Sequence, residues 1–399
     1  MSSSLICRSP DLLRLRNEGY HLETRDGYLL IHDVPYVTSK RQVERGTLVM
    51  PLTLTANVAL VPSVHTAHFI GSTPCDSQGV QLAGIIHDSN AHDLAPGLRV
   101  DHYLSARPRT PQGQYTSYYE KVTAYVNRLL AEAKAIDQGW RATTFAPVPA
   151  DDAGSVFEYE DTASTRANIV VPTSRLRQQS VAIIGLGGTG AYLLDLLAKA
   201  PVREIHLWDG DVLQQHNAFR YPGAVPLGVL EEAPMKVTYL QRVYAAMRRH
   251  IVPHPEMIKP ENARALRDFD YVFACVDNGE ARRVILEALD GSSATLIDVG
   301  MGVRMNANQE LLGQCRVTVV DVTRDPDAIA TLPLAGEDEK DLYATNIQVA
   351  DLNALNAFMA VQTWKKKSGY YASRPAGPLM VYSTSNSTMA VSEAVSCPA

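Results

Sequence analysis

The chain has 399 residues, with 37 basic and 43 acidic side chains and a formal net charge of −6. This length predicts two or three domains, each able to bury its own core. With 46% apolar and 20% charged residues, the composition argues against a largely disordered chain. The mild acidic excess, spread over both halves, argues against general nucleic-acid binding, which needs a concentrated basic surface.

The sequence also argues against a membrane or secreted protein. It contains no run of about 18 apolar residues, the length needed to span a bilayer. Its first residues lack the cationic segment, apolar core and cleavage site of a signal peptide. The five cysteines are scattered without a Cys-x-x-Cys pair, so neither a disulfide framework nor a four-cysteine zinc site is expected. We therefore expect a soluble cytoplasmic protein.

The first 150 residues predict a small α+β domain. Three stretches bounded by glycine or proline are typical of short strands: Gly27–Val37, Gly46–Leu54 and Val64–Gly71. Apolar residues at helical spacing between Tyr118 and Leu129 then predict a helix. Residues 146–165 mix proline, glycine and acidic residues, as a linker does. We place the second domain at residues 151–399.

The second domain alternates predicted strands with predicted helices, a pattern typical of a mostly parallel sheet covered on both faces. The predicted strands are Val181–Ile184, Glu204–Trp208, Tyr271–Val276, Thr295–Val299 and Cys315–Val320. The predicted helices are Thr189–Ala200, Met235–Arg249, Glu280–Leu289 and Asn346–Lys367. On the last helix we expect one apolar face made by Leu352, Leu355, Phe358 and Met359.

A glycine loop joins the first strand of this domain to the first helix. Gly185 permits the tight turn, Gly187 lets the backbone approach a phosphate, and Gly190 lets the helix pack close to the strand. The start of the helix offers free N–H groups and a positive dipole end to an anion. Asp209 ends the next strand, where a carboxylate can accept hydrogen bonds from a ribose. The loop predicts a nucleotide site, but NAD enzymes and some ATP enzymes share this arrangement.

Polar residues after the second strand favour a triphosphate over a dinucleotide. Asn217, Arg220 and Lys236 follow that strand, and a dehydrogenase has no need of them there. Arginine is a forked donor to phosphate, and lysine supplies a mobile positive charge for a leaving pyrophosphate. Asp277 follows another strand at the edge of the sheet where ligands bind, and its carboxylate can hold Mg²⁺ against phosphate oxygens.

The order of these residues resembles the ThiF/MoeB/E1 group of adenylating enzymes. That group has a G-x-G-G-x-G loop, then D-x-D and N-x-x-R, then a lysine, and later a D-N pair after a strand. The matching residues are Gly185, Gly187, Gly188, Gly190, Asp209, Asp211, Asn217, Arg220, Lys236, Asp277 and Asn278. The resemblance covers roughly Thr165 to Lys367. It implies an α/β fold with a Rossmann-like, doubly wound sheet of the E1/ThiF type.

The resemblance also implies a role for each residue and a reaction. Asp209 would bind the ribose, Asn217, Arg220 and Lys236 the phosphates, and Asp277 the Mg²⁺ that supports adenylation. Nucleotide binding would be completed by the remaining matched residues, Gly185, Gly187, Gly188, Gly190, Asp211 and Asn278. The C-terminal carboxylate of a ubiquitin-like protein would attack the α-phosphate of ATP, forming an acyl-adenylate and releasing pyrophosphate.

Two further expectations follow from the resemblance. Members of the group dimerise, and an arginine ahead of the glycine loop reaches into the partner's site. Arg166 is our candidate, with Arg175 and Arg177 as competitors. The chain looks like a bacterial subgroup with an extra N-terminal domain, encoded beside ubiquitin-like proteins and peptidases in clusters linked to phage defence.

The sequence departs from its relatives in its cysteines. The pairs that bind structural zinc are absent, and no cysteine lies between Arg316 and Ser396, where conjugating E1 enzymes place their thioester nucleophile. We expect Cys275 and Cys315 to be buried apolar residues. Weaker nucleophile candidates are Cys397, Thr331 and Thr345. The enzyme would then stop at the adenylate, transfer to a hydroxyl, or use the thiol of a partner such as an E2-like protein.

The N-terminal domain contains side chains of the types that bind metals. They are His65, His68, Cys75, His87, Asp88, His92 and Asp93. Because residues three apart on a strand face opposite ways, His65 and His68 make a poor ligand pair. We therefore expect this domain to dock a partner or the ubiquitin-like protein rather than to bind a metal.

Three other functions stay open at this point. One is activation of a sulfur-carrier protein for cofactor synthesis, against which the extra N-terminal domain argues mildly. Another is an NAD-dependent oxidoreductase, against which the residues Asn217, Arg220, Lys236 and Asp277 argue. The last is a non-catalytic scaffold with a decayed site, although the expected polar residues are all present.

Overall fold

The computed structural model describes residues 2–146, 155–167, 169–322, 326–334, 347–374 and 376–393. The chain divides into two compact units, Met1–Ser174 and Arg175–Ala399. The division predicted at residue 150 stays a prediction. The nucleophile candidates Thr345 and Cys397 lie outside the described residues, as does part of the predicted linker, residues 147–154.

The first unit contains an antiparallel sheet and a long helix. Its strands are β1 (His21–Arg25), β2 (Tyr28–Val37), β3 (Val43–Pro51), β4 (Leu54–Thr55), β5 (Val58–Ala59), β6 (Thr66–Ile70), β7 (Ile86–Asp88), β8 (His92–Ala95), β9 (Leu98–Val100) and β10 (His102–Ser105). Its helices are α1 (Ser2–Arg8), α2 (Pro10–Asn17), α3 (Tyr118–Ile136), α4 (Thr162–Arg166) and α5 (Val170–Ser174). Six strands form one sheet in the order β1-β2-β3-β6-β10-β7, and the predicted α+β organisation is confirmed.

Helix α3 covers this sheet because its apolar residues repeat at helical spacing. Ser117 caps it by accepting a hydrogen bond from the backbone nitrogen of Glu120. Val122, Tyr125 and Leu129 are buried in the same core as the side chains of β2. The sequence prediction of this helix is therefore confirmed.

The second unit contains an eight-stranded mixed sheet. Its strands are β11 (Ser180–Ile184), β12 (Glu204–Trp208), β13 (Ile251–His254), β14 (Tyr271–Ala274), β15 (Thr295–Met305), β16 (Leu311–Asp321), β17 (Leu379–Ser383) and β18 (Thr388–Val391). Its helices are α6 (Gly188–Ala198), α7 (Gln215–Ala218), α8 (Leu227–Glu232), α9 (Lys236–Tyr244), α10 (Pro260–Ala263), a 3₁₀ turn (Arg264–Asp268), α11 (Gly279–Leu289), α12 (Pro326–Ala330) and α13 (Ala350–Lys367).

The strand order is β13-β12-β11-β14-β15-β16-β17-β18. The pairs from β13 to β15 are parallel, and those from β15 to β18 are antiparallel. One face of the sheet shares a buried core with α6, α9 and α13, and the other face with α11 and the 3₁₀ turn. The predicted α/β class is confirmed, and the carboxyl ends of β11, β12 and β14 meet at one edge.

Several details of the prediction were wrong: for instance, helix α13 begins at Ala350 and not at Asn346, and strand β16 begins at Leu311 and not at Cys315. The helix predicted at Met235–Arg249 ends at Tyr244, because Arg248 is buried and its guanidinium binds the carbonyls of Ala200 and Val202 at 3.1 and 2.5 Å. The strand predicted at Thr295–Val299 continues to Met305, since it forms a long hairpin with β16. Phe358 is 49% exposed and does not share the buried face of α13.

No helix within the described ranges is both long and apolar enough to cross a membrane.

Candidate nucleotide-binding site

The glycine loop has the geometry that its sequence predicts. Gly185 has a φ of +86°, and a Cβ there would lie 2.6 Å from the carbonyl oxygen of Cys275. A Cβ at Gly190 would overlap the carbonyl oxygen of Gly185, so a side chain would separate helix α6 from strand β11. At Gly187 a Cβ would meet nothing within 4 Å, which leaves open space in front of the loop. These three positions therefore combine a tight turn with room for a ligand.

Asp209 joins the glycine loop to the end of β12. Its side chain is buried, and its two oxygens accept hydrogen bonds from the backbone nitrogens of Leu186 at 2.7 Å and Asp211 at 2.9 Å. Each carboxylate oxygen can accept more than one hydrogen bond. The residue can therefore shape the loop and still receive a hydroxyl group.

Lys236, the first residue of α9, lies between two carboxylates. Its Nζ is 2.6 Å from Asp211 Oδ2 and 3.4 Å from Asp209 Oδ1. Lys236 and Asp209 are buried, whereas the side chain of Asp211 is 54% exposed. The lysine is thus held at the site by one exposed and one buried partner.

Two buried donors on and after α7 have no partner among the described residues. In Asn217, Oδ1 accepts a hydrogen bond from Gln214 N at 2.9 Å, but Nδ2 is buried and unpaired. Nε of Arg220 is also buried and unpaired. A buried donor without a partner costs about 1–3 kcal/mol, so two of them so close in sequence indicate a site for an acceptor-rich ligand.

The charges of the site are close enough to affect each other. Burial lowers the pKa of Arg220, and the nearby charges of Tyr221 and Asp277 raise it. Burial also lowers the pKa of His216, and the positive charges of Arg220 and Lys236 lower it further, so the imidazole favours its neutral form. Arg220 and Lys236 therefore supply the positive charge of the site, and Asp277 is the exposed carboxylate beside Arg220.

Asn278 has a structural contact that the sequence did not indicate. Its Oδ1 caps helix α11 by accepting a hydrogen bond from Ala281 N at 2.7 Å. Because this oxygen is already used, the predicted contact of Asn278 with nucleotide would come from its amide nitrogen or its backbone.

The residues present fit ATP with Mg²⁺. Unpaired donors at Asn217 and Arg220 match phosphate oxygens, and the space at Gly187 admits them. Mg²⁺ is usually held by one or two carboxylates together with substrate phosphates and water. Asp277 is an exposed carboxylate beside Arg220, just after strand β14.

The three candidate arginines differ in their surroundings. Arg166 is exposed on α4 in the first unit. Arg175 donates a hydrogen bond to the carbonyl oxygen of Gly369 within the second unit. Arg177 lies in the same unit. The role of an arginine from a partner chain stays a prediction.

Of the two cysteines that we expected to be buried, Cys275 and Cys315, only Cys315 is. Cys315 is fully buried, and burial raises the pKa of its thiol to about 11. Cys275 is half-buried, and burial raises the pKa of its thiol as well. Because the thiolate is the reactive form, neither residue is suited to act as a nucleophile.

The metal-capable residues of the first unit do not converge. His65 Nε2 lies 3.2 Å from Ser105 Oγ, and His68 packs against the rings of Tyr103 and His92. In the part of the chain that the structure describes, no three His, Cys, Asp or Glu side chains form a metal-binding group.

The sequence did not predict a role for Asn353, which contacts the end of the glycine loop from helix α13. Asn353 is fully buried on α13, and its Oδ1 accepts a hydrogen bond from Thr189 Oγ1 at 2.8 Å. A Cβ at Gly188 would overlap its amide group. The available signal was a pair of asparagines, Asn353 and Asn356, at helical spacing among the apolar residues of this helix.

Comparison with protein families divides the chain into two matches. Residues 10–162 match a domain of unknown function, DUF6791. Residues 163–392, more than half of the chain, match the ThiF family. The chain belongs to the ThiF family.

Curated proteins similar to this ThiF-family chain include ubiquitin-like modifier-activating enzyme 5 of Drosophila mojavensis, 27% identical over 150 residues, and that of Aedes aegypti, 28% identical over 150 residues. These matches cover 35% of this chain and 38% of each relative. The match therefore spans less than two fifths of the relatives' length.

Solved structures similar to this chain include PaaA, with a TM-score of 0.48 and 17% identity over 70% of this chain and 86% of PaaA. Another is E. coli MccB with ATP, with a TM-score of 0.41 and 14% identity over 58% of this chain and 69% of MccB. ThiF-family proteins are E1-like adenylating enzymes, which agrees with the fold and with the residues at the glycine loop.

Proposed function

We propose that this chain uses ATP and Mg²⁺ to adenylate the C-terminal carboxylate of a ubiquitin-like protein. The main support is the pair of buried, unpaired donors at Asn217 and Arg220, close in sequence to Lys236 and in the same unit as the open glycine loop. Among described residues these donors have no acceptor, and the phosphates of ATP would supply one. The family of the chain supports the same class of reaction.

In this proposal, each part of the site binds one part of ATP. Asp209 accepts a hydrogen bond from the ribose, and the backbone at Gly187 and the start of α6 face the phosphates. Asn217 and Arg220 donate to phosphate oxygens. Lys236 exchanges its contact with Asp211 for one with the departing pyrophosphate, whose growing negative charge it stabilises.

Asp277 would hold Mg²⁺ beside Arg220. When bound, the ion would neutralise charge on the phosphate oxygens. Arg220 and Lys236 would also neutralise charge on the phosphate oxygens, Arg220 through its forked guanidinium and Lys236 through its single ammonium group.

The proposed step is a nucleotidyl transfer. A carboxylate oxygen of the ubiquitin-like protein forms a bond to the α-phosphorus, while the bond from that phosphorus to the bridging oxygen of the β-phosphate breaks. That oxygen keeps the bonding electrons and leaves with pyrophosphate. The product is an acyl-adenylate, ready for attack by a hydroxyl or by the thiol of a partner.

The partners belong to the proposal as well. The resemblance to bacterial ThiF proteins with an extra N-terminal domain supports a cytoplasmic ubiquitin-like conjugation pathway linked to antiviral defence, with an E2-like protein as the acceptor. The first unit would dock such a partner. A homodimer would bring Arg166 of one subunit to the ATP site of the other.

Titration calorimetry with ATP·Mg²⁺ and with NAD⁺ tests the nucleotide. We expect ATP to bind much more tightly with Mg²⁺ than without it, and Asp277→Ala to lose this gain. Pyrophosphate exchange with ubiquitin-like proteins encoded nearby tests the substrate, with the same proteins lacking their last glycine as controls. NAD⁺ binding without ATP binding, or exchange that ignores the terminal glycine, would contradict the proposal.

Mixing two inactive variants tests the homodimer. Arg166→Ala lacks the arginine given to the partner, and Asp277→Ala lacks the site that receives it. A mixed dimer contains one site with both groups, so mixing should restore pyrophosphate exchange. If the mixture stays as inactive as its components, Arg166 does not act across a dimer.

A further inference from the structure

A buried charge cluster lies behind Asp277 and has no part in the site described so far. Asp298 on β15 is fully buried, and its two oxygens accept hydrogen bonds from Arg282 Nε at 2.8 Å and from Arg316 Nη2. Arg282 itself is only 7% exposed. Such clusters are poor sources of stability, because desolvation of the charges offsets their attraction. The cluster therefore needs another explanation.

Arg282 also reaches the residue before Asp277. Its Nη2 donates a hydrogen bond to the carbonyl oxygen of Val276 at 2.6 Å. One planar guanidinium thus bridges a buried carboxylate and the backbone of the turn that presents Asp277. Arginine suits this task, because its donors have a fixed forked geometry.

The turn is fixed at its other positions too. Cys275 N donates to Ile184 O at 2.8 Å, next to Gly185 of the glycine loop. On the far side, Asn278 caps helix α11 through Ala281 N. Asp277 is therefore an exposed side chain on a backbone that is held on both sides, and Arg282 supplies the hold from the interior.

We propose that Arg282 and Asp298 are positioning residues that fix the carboxylate of Asp277 for the divalent cation of the nucleotide complex. This inference rests on the proposed function. Arg282 touches neither nucleotide nor cation and acts through the Val276 carbonyl. Asp298 orients Arg282, and Arg316 donates to the other oxygen of Asp298.

The test compares two identical substitutions around one carboxylate. Arg282→Lys keeps the charge but cannot reach both Asp298 and Val276. Arg316→Lys also weakens a contact with Asp298 but leaves the Val276 contact intact. ATP binding is measured by calorimetry over a series of Mg²⁺ concentrations and without Mg²⁺, and the unfolding temperature is measured for each variant.

We expect Arg282→Lys to raise the Mg²⁺ concentration at half effect about tenfold or more, the usual result of removing a residue that orients a metal ligand. ATP affinity without Mg²⁺ should stay within about twofold, since Arg282 does not touch nucleotide. Arg316→Lys should lower the unfolding temperature without moving the Mg²⁺ midpoint. In an Asp277→Ala background, Arg282→Lys should have no further effect on Mg²⁺ dependence.

The inference is overturned if Arg282→Lys leaves the Mg²⁺ midpoint unchanged, moves it no more than Arg316→Lys does, or still moves it in Asp277→Ala. If Arg282→Lys does not fold, the neutral pair Arg282→Gln with Asp298→Asn replaces it and is expected to raise the midpoint in the same way. If the wild-type chain shows no Mg²⁺-dependent ATP binding, the proposed function fails and the inference fails with it. If the wild-type chain shows Mg²⁺-dependent ATP binding that Asp277→Ala loses, but Arg282→Lys has no effect on it, the inference is overturned and the proposed function stands.

Discussion

Asn217 and Asn262 make the same helix-capping contact, but only Asn262 has a partner for its amide nitrogen. Asn217 Oδ1 accepts from Gln214 N at 2.9 Å, and Asn262 Oδ1 accepts from Lys259 N at 2.8 Å. Asn262 Nδ2 then donates to Met257 O at 3.0 Å, whereas the buried Nδ2 of Asn217 is unpaired within the described chain. The capping contact explains the oxygen of Asn217, and the proposed ATP would supply the missing acceptor for its nitrogen.

This difference predicts opposite results for the same substitution. Asn217→Asp keeps the cap but replaces the free donor with a negative oxygen, so ATP affinity should fall about 10-fold or more while the unfolding temperature changes little. Asn262→Asp loses a satisfied hydrogen bond, so unfolding free energy should fall by about 1 kcal/mol while ATP affinity stays close to wild type. Calorimetry and thermal unfolding measure both effects. Wild-type ATP affinity in Asn217→Asp would contradict the assignment.

Two substitutions in the glycine loop should separate an effect on ATP binding from an effect on stability. Gly187→Ala fits the backbone, whose φ is −67°, and its methyl group enters the space in front of the loop. We expect a normal unfolding temperature and weakened ATP binding. Gly190→Ala would overlap Gly185 O and should destabilise the second unit by about 1–3 kcal/mol.

Gly228→Ala is the control for an added methyl group, because a Cβ there also meets nothing within 4 Å and the residue lies on exposed α8. It should leave ATP binding unchanged. If Gly187→Ala binds ATP as Gly228→Ala does, the open space at the loop does not receive a phosphate.

Sequence predicts a residue's structural role well where local geometry dictates the residue type, and poorly where the role depends on a distant segment. Gly185 and Gly190 are such cases, since the turn and the helix contact exclude a side chain wherever they occur. Contacts between distant segments gave no local signal. Asn353 meets Thr189 only when α13 packs on α6, and Arg248 shortens its helix only because the carbonyls of Ala200 and Val202 lie nearby.

Two lysines with equally short ion pairs should respond differently to loss of charge. Lys236 Nζ lies 2.6 Å from Asp211 Oδ2, and Lys199 Nζ lies 2.6 Å from Asp195 Oδ2. Lys236→Met removes a charge from the proposed leaving-group side, so the rate of pyrophosphate exchange should fall about 10²–10³-fold. Lys199→Met removes an exposed pair and should change the rate less than about twofold. A similar rate for the two variants would exclude Lys236 from the reaction.

Lys121 should make the stability of the first unit depend on pH. It is fully buried on α3, its Nζ has no hydrogen-bond partner among the described residues, and burial lowers its pKa from 10.5 to about 7. Between these two pKa values the unfolded chain binds the proton and the folded chain does not. This group's contribution to the free energy of unfolding therefore rises with pH from about 7 to 10.5, by at most about 1.4 kcal/mol per pH unit.

Lys121→Met keeps the apolar length of the side chain and removes the buried amine. We expect the variant to unfold at a higher temperature at pH 7 and to lose most of the rise in stability between pH 7 and pH 9.5, the part of this window accessible to thermal unfolding. Lys134→Met, near the end of the same helix and only partly buried, is the matched control and should keep the wild-type pH profile. An unchanged pH profile in Lys121→Met would mean that the amine keeps its proton in the folded protein, because only loss of that proton on folding links this residue to pH in the alkaline range.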